Sequence, residues 1–127
     1  MTDLEQNKKT VHDFFVLAFN DKQPAEAADR YLGPGYVQHN PQIPDGPAAF
    51  VEFVSGLTTQ VPELRYDIKR LIAEGDLVVV HSLITTSSED RGAAVVDIVR
   101  VRDGKLVEHW DVVQPVPEAT TNDNTMF

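Results

Sequence analysis

The hydrophobic period of the chain changes at Pro62, and that change limits the possible folds more than any other feature. Before Pro62, apolar residues recur at helical spacing. After it come four β-rich runs, ELRYDIKRLIAEG, DLVVVHSLITT, AAVVDIVRVR and KLVEHWDVVQ, separated by Glu-Gly, a polar SSEDRG loop and Asp-Gly. Helices first and a strand meander second read as α+β. A sheet of this kind curls around the helices, so side chains on its inner face either fill a core or line a cavity.

In the first half, Thr2 and Glu5 have the spacing of a capping box, and Leu4, Val11, Phe15 and Ala18 recur on one face, which predicts a helix over 4–20. Pro24 suits the first turn of a second helix through AEAADRYL, which GPG at 33–35 ends. YVQHNP follows as a short extended or irregular piece. A third helix begins near Pro47 with Asp45 or Gly46 as its cap, buries Phe50, Phe53, Val54, Leu57 and Val61, and closes at Pro62.

At 127 residues the chain is one domain, 1–127, with 115–127 as an extended C-terminal tail. A domain of this size buries roughly two thirds of the surface of its unfolded form, enough to enclose a cavity. Twenty acidic residues against eleven basic ones give a formal net charge of -9, which repels phosphate backbones and anionic membranes and argues against nucleic-acid or membrane partners. The absence of cysteine removes disulfides, thiolate metal sites and a Cys nucleophile together. MTDLEQNKKTVHDFF lacks a basic start followed by an apolar stretch, and no segment approaches the ~20 apolar residues of a membrane span, so a cytoplasmic protein is expected.

The chemistry concentrates where charge interrupts apolar strands. AAVVDIVRV surrounds Asp97 with β-branched residues, and VEHWDVV places His109 and Asp111 in a run that otherwise reads as buried. Whether the three meet depends on the RDGK turn, because a slip of one residue moves every side chain to the opposite face. A three-residue loop of Arg102, Asp103 and Gly104 pairs Asp97 with His109 and gathers Asp97, His109 and Asp111 on one face. A two-residue Asp-Gly turn pairs Val96 with Asp111 and sends Asp97 to the other side. The three-residue loop is preferred, since it joins three ionisable groups rather than isolating each in apolar surroundings.

Further polar groups surround this set. Tyr36, His39 and Asn40 come from YVQHNP, and His81 in LVVVHSLI reads either as a partnered core histidine or as a cavity wall. His12 lies on the polar part of the first helix, and Trp110 faces away from His109 and Asp111 toward packing or a subunit contact. Lys22, Lys69 and Lys105 all sit in polar or turn contexts, unsuited to a Schiff base. His39, His81, His109, Asp97 and Asp111 could ligate a metal, but no pair has the spacing of a recognised motif, so none is expected. An Asp-Arg-Asp arrangement fails on parity, because Arg100 points away from Asp97.

From YVQHNP and PDGPAAFVEF through IAEGDLVVVHS and VVDIVRVRDGKLVEHWDVVQPVPE to the terminal NTMF, the chain resembles the SnoaL-like polyketide-cyclase family of the nuclear-transport-factor-2-like superfamily. It is most similar there to bacterial proteins described as predicted SnoaL-like aldol-condensation-catalysing enzymes. The resemblance implies a cone-shaped fold with three N-terminal helices packed on a curved, mainly antiparallel sheet, and a homodimer. In cyclases of this group an aspartate on the last strand is the general acid/base of an intramolecular aldol closure, without metal or cofactor. That aspartate corresponds to Asp111, whereas a histidine common in their preceding strand falls where Asp97 stands here.

The expected function is therefore cofactor-independent acid/base catalysis on a small hydrophobic carbonyl compound: aldol condensation, cyclisation or isomerisation through an enolate. Asp111 is the expected base, His109, His39 or Tyr36 the donor to the developing oxyanion, and Asp97 a partner that orients His109 or shares a proton with Asp111. Tyr36, His39, Asn40, His81, Phe50 and Phe53 are the expected substrate wall. The alternative is a non-catalytic binding protein for a small hydrophobic metabolite, because one scaffold of this superfamily hosts many functions. Met126 and Phe127 at the end of a polar tail could close a pocket or dock on a partner subunit.

Overall fold

The computed structural model describes residues 2–127. Helix α1 spans Asp3–Phe15, α2 Pro24–Tyr31 and α3 Pro47–Gln60; the strands are β1 Leu32–Gln38, β2 Arg65–Glu74, β3 Leu77–Thr85, β4 Ala93–Arg102 and β5 Lys105–Pro115. The helices pack on one face of an open mixed sheet of order β1-β5-β4-β3-β2, in which β1 runs parallel to β5 and all other neighbours are antiparallel. The α+β architecture and the four-strand meander follow the sequence pattern. No described helix is long and apolar enough to cross a membrane.

Helix α1 begins as its spacing predicts, with the Thr2 hydroxyl accepting from the Glu5 backbone N–H at 3.1 Å. It does not end as an α-helix, however. Val16–Asn20 form a π turn, closed by the Asp21 N–H donating to the Val16 carbonyl at 2.9 Å. The wider turn carries Asn20 to the free edge of β2, where its amide donates to the Tyr66 carbonyl at 2.9 Å and accepts from the Tyr66 N–H at 2.8 Å. An edge strand thus has both backbone groups of one residue satisfied by a side chain, and Tyr66 is held with its ring in the core.

GPG at 33–35 ends α2 as expected and is itself part of β1, which starts directly after the helix; Pro34 is tolerated because β1 is an edge strand. One expectation in the first half needs correction. In α3 only Phe50 and Val54 are buried, Leu57 and Val61 are half-buried, and Phe53 is 39% exposed. Phe53 lies three residues from Phe50, at the side of the buried stripe rather than on it. Gly46, not Asp45, takes the N-cap position; the Asp45 carboxylate instead accepts from the Gln38 N–H at 2.7 Å and ties the helix start to β1.

The RDGK turn also differs from expectation. It is a two-residue turn, with Asp103 at φ 50° and Gly104 at φ 75°, the positive values that a type I′ turn needs to match strand twist. Arg102 pairs with Lys105 and Val101 with Leu106, a register that would turn Asp111 away from Asp97. The ladder then shifts by one residue, so that Arg100 pairs with Glu108, Val99 with His109 and Asp97 with Asp111. Val107 is the extra residue of this bulge. The expected face is restored by the bulge rather than by the turn.

The core between helices and sheet is aromatic, with Phe14, Phe15, Phe19, Phe50 and Tyr66 in edge, tilted and stacked contacts at centroid distances of 4.9 to 6.3 Å. Tyr66 connects this cluster to the sheet, so its anchoring matters to both. Replacing Asn20 by Ala leaves the Tyr66 N–H and carbonyl without their partner, at an expected loss of about 1–3 kcal/mol in urea unfolding; a variant as stable as the parent would show that Asn20 is dispensable.

Candidate active site

A cavity of about 250 Å³ lies between the sheet and the helices. Its helical side is apolar, formed by Phe14, Phe15 and Phe19 with Phe50, Phe53, Val54 and Leu57 of α3. Its sheet side is where the polar groups gather: Tyr36, Gln38, Asp97, His109 and Asp111, joined by Asn40 just beyond β1. Strand parity explains who arrives. The parallel pairing sets Gln38 beside His109, and period-2 alternation through YVQHN sends Tyr36, Gln38 and Asn40 inward and Val37 and His39 outward.

Asp97 is 2% exposed, and both its oxygens are engaged. One accepts from the Tyr66 hydroxyl in a short hydrogen bond, and the other faces His109 Nε2 at 2.8 Å. Burial raises the Asp97 carboxyl above its usual range, opposed by the His109 and Tyr66 hydrogen bonds and reinforced by the nearby Asp111 charge. The same burial, with the Asp97 charge adding to it, pushes the Tyr66 and Tyr36 hydroxyls up, so both stay protonated at neutral pH.

The orientation of His109 follows from backbone hydrogen bonding. The Asn40 N–H is an unambiguous donor, and it meets Gln38 Oε1 at 3.0 Å, which fixes that amide's oxygen. The same oxygen lies 2.6 Å from His109 Nδ1, so Nδ1 carries a hydrogen and donates it. Nε2 and Asp97 therefore share one proton, and the pair is neutral as a unit whichever atom holds it.

Asp111 is placed differently. Both its oxygens accept from the Asn40 amide at 3.0 Å, and the Gln42 N–H, donating to Asn40 Oδ1 at 2.9 Å, fixes that amide in turn. His109 Nε2 is 3.9 Å from Asp111, too long for a hydrogen bond, and the Asp111 side chain keeps 15% exposure toward the cavity. Each carboxylate thus accepts two hydrogen bonds, but only Asp111 keeps appreciable exposure, so its remaining lone pairs can reach a ligand where those of Asp97 are shut in. The Tyr36 hydroxyl accepts from Gln38 Nε2 at 3.5 Å, and among the described residues its own proton has no acceptor.

Asp97, His109 and Asp111 each offer an atom within 4.8 Å of the others and form the one convergent set of metal-ligating side chains among the described residues. Their present arrangement is hydrogen-bonded, and an ion would have to replace the contact between Nε2 and Asp97.

Two of the expected wall residues are not in the cavity. His39 points outward, bonds Glu108 at 2.7 Å and stacks on Trp110 at 4.7 Å; its bond holds the Glu108 carboxyl below its usual range. His81 alternates with the buried Val80 and Ser82, so it too faces out, where it meets Arg70 and stacks on Phe127 at 5.7 Å. The tail accordingly returns over the outer face of the sheet, with Arg70 donating to the Phe127 carbonyl at 3.1 Å. Gln38 and Tyr66 were missed. Reading YVQHN as a strand would have found Gln38, whereas nothing local marks Tyr66.

The pattern defining the SnoaL-like domain matches residues 11–109. The chain belongs to the SnoaL-like family. No curated protein matches this SnoaL-like chain in sequence. Among solved structures it is similar to a candidate polyketide cyclase from Acidithiobacillus ferrooxidans, at 23% identity and TM-score 0.73 over 89% of this chain and 91% of that one. It is also similar to a candidate SnoaL-like polyketide cyclase from Jannaschia sp. CCS1, at 21% identity and TM-score 0.74 over 89% of each chain. A candidate isomerase of the SnoaL-like family from Agrobacterium tumefaciens superposes with TM-score 0.71 at 11% identity, over 85% of this chain and 97% of that one. Such identities establish a common fold, here three helices on an open five-stranded mixed sheet.

The balance at Asp97 is directly measurable. Its carboxyl carbon, assigned against Asp97→Asn, is expected to titrate above 3.8 by NMR. Since the native state then holds this proton more tightly than the unfolded chain, the stabilising contribution of Asp97 is full below pH 3.8 and declines as pH rises through the raised value. A midpoint at or below 3.8 would mean that the Tyr66 and His109 hydrogen bonds outweigh burial.

Proposed function

We propose that this SnoaL-like protein is an enzyme that forms an enolate from a carbonyl compound, with Asp111 as the general base. One observation carries the reading: a carboxylate with free lone pairs and a neutral hydroxyl with a free proton face the same small apolar cavity. Asp111 takes the proton from the carbon next to the carbonyl, and the electron pair moves onto the carbonyl oxygen. The Tyr36 hydroxyl donates to that oxygen as charge develops there. The enolate carbon then attacks a second carbonyl in an aldol closure, whose new alkoxide takes the proton back from Asp111, or is reprotonated by Asp111 at another position in an isomerisation.

His39 is too remote to serve as the donor, and both ring N–H positions of His109 are already directed at Gln38 and Asp97. Asp97 and His109 act as positioning residues. Their neutral pair presents a hydrogen-bonding edge beside Asp111 without adding charge to the site, and Asn40 fixes the Asp111 carboxylate in its plane. The names given to neighbouring proteins, cyclase and isomerase, fit either fate of the enolate. These groups suffice for the step without a cofactor.

The test is proton NMR of ketones and 1,3-dicarbonyl compounds in deuterated buffer. Exchange next to the carbonyl is expected with the parent protein, to fall about 10²–10⁴-fold in Asp111→Asn and about 10²–10³-fold in Tyr36→Phe, both variants remaining folded by circular dichroism. Exchange that survives in Asp111→Asn removes the base from the proposal, and exchange abolished by a chelator assigns the chemistry to a metal held by Asp97, His109 and Asp111. Binding without exchange in the parent protein supports the alternative, a non-catalytic carrier of a hydrophobic metabolite.

A further inference from the structure

The dimensions and charge of the cavity define its ligand more narrowly than the reaction does. An engineered apolar cavity of roughly 150 Å³ holds a benzene ring, and drug-sized ligands occupy pockets of roughly 300–1,000 Å³. At about 250 Å³ this cavity lies between the two. By that scale it holds roughly ten non-hydrogen atoms, a single ring with a short substituent. Fused tricyclic compounds exceed it.

Charge is limited as firmly as size. The lining contains two carboxylates, Asp97 and Asp111, and no lysine or arginine among the described residues. Because Asp97 and His109 form a neutral unit, an ionised Asp111 leaves the site with a negative charge and no cation to receive an anion. Arg100, the nearest arginine along β4, is engaged outside the cavity by Asp76 at 2.7 Å and Glu108 at 3.1 Å. Beyond the sheet-side groups only the Gln42 amide lines the cavity, so a second polar group on the ligand placed against Phe14, Phe50 and Leu57 would be buried without a partner.

We propose that the site takes an uncharged, single-ring carbonyl compound, or an open-chain one of equal bulk, with its carbonyl toward Tyr36 and Asp111 and its hydrocarbon body against the α1 and α3 side chains. The proposal rests on the reading of Asp111 as base and adds the exclusion of carboxylates, phosphates and fused tricyclic substrates. Such a ligand lacks charge to be steered by, so recognition depends on shape and one hydrogen-bonded end.

Calorimetry and NMR titration with acetophenone, 4-acetylbenzoate and anthrone at neutral pH test it. Acetophenone should bind the full-length protein about tenfold or more tighter than the other two, a difference of about 1.4 kcal/mol or more, and should shift the His109 ring signals. In Asp111→Asn the gap between acetophenone and 4-acetylbenzoate should narrow, because the repelling charge is gone, while anthrone stays excluded by size. Acetophenone that fails to bind, or 4-acetylbenzoate or anthrone binding the parent protein as tightly, overturns the proposal. Selective binding of acetophenone without exchange of its methyl protons sinks the catalytic reading alone, so the two failures are distinguishable.

Discussion

The hydrogen bonds of one buried carboxylate organise the sheet side of this protein. Asp97 lies at the middle of β4 with almost no access to water, and an ionised carboxyl there is unfavourable unless donors replace the lost hydration. Tyr66 from β2 and His109 from β5 supply them. Each donor is held in turn, Tyr66 by the Asn20 amide acting on its backbone and His109 by Gln38 at the other ring nitrogen. A chain of side chains thus runs from the π turn of α1 across the sheet to β1, and every link is a group that the neighbouring link has oriented.

Much of the fold was legible because it depends on local periodicity. The change of period at Pro62, the turn residues between the strands and the Pro24 and Pro47 helix starts all operate within a few residues. Asp97, His109 and Asp111 were recognisable because charge in an apolar strand is costly without purpose. Their meeting was expected for an incomplete reason, since the three-residue loop does not form and Val107 supplies the missing residue inside β5. Nothing in KLVEHWD announces a bulge, because the extra residue is as apolar as its neighbours and only long-range pairing reveals it.

The misplaced histidines have the same origin. His39 and His81 stand out by residue type, whereas strand parity decides their direction, and parity sends both outward. The parallel seat of β1 beside β5 is a contact between segments about seventy positions apart, as in the Asn40 to Asp111 bond. No local pattern specifies it. Once it is known, alternation through YVQHN places Gln38 and Asn40 with no further assumption.

The bulge at Val107 has a consequence for how such a chain can vary. Around it, the faces of β5 carry opposite duties: His109 and Asp111 look into the cavity, while Glu108 and Trp110 meet Arg100 and His39 outside. A length change of one residue between Leu106 and His109 would exchange the two sets without altering composition and with little change in overall hydrophobicity. The SSEDRG connection is held differently, by the Asp90 carboxylate accepting from Thr86 and Gly92 rather than by a bulge in the ladder. Descendants of this sequence are therefore bound to a fixed count between Leu106 and His109, whatever residues fill it.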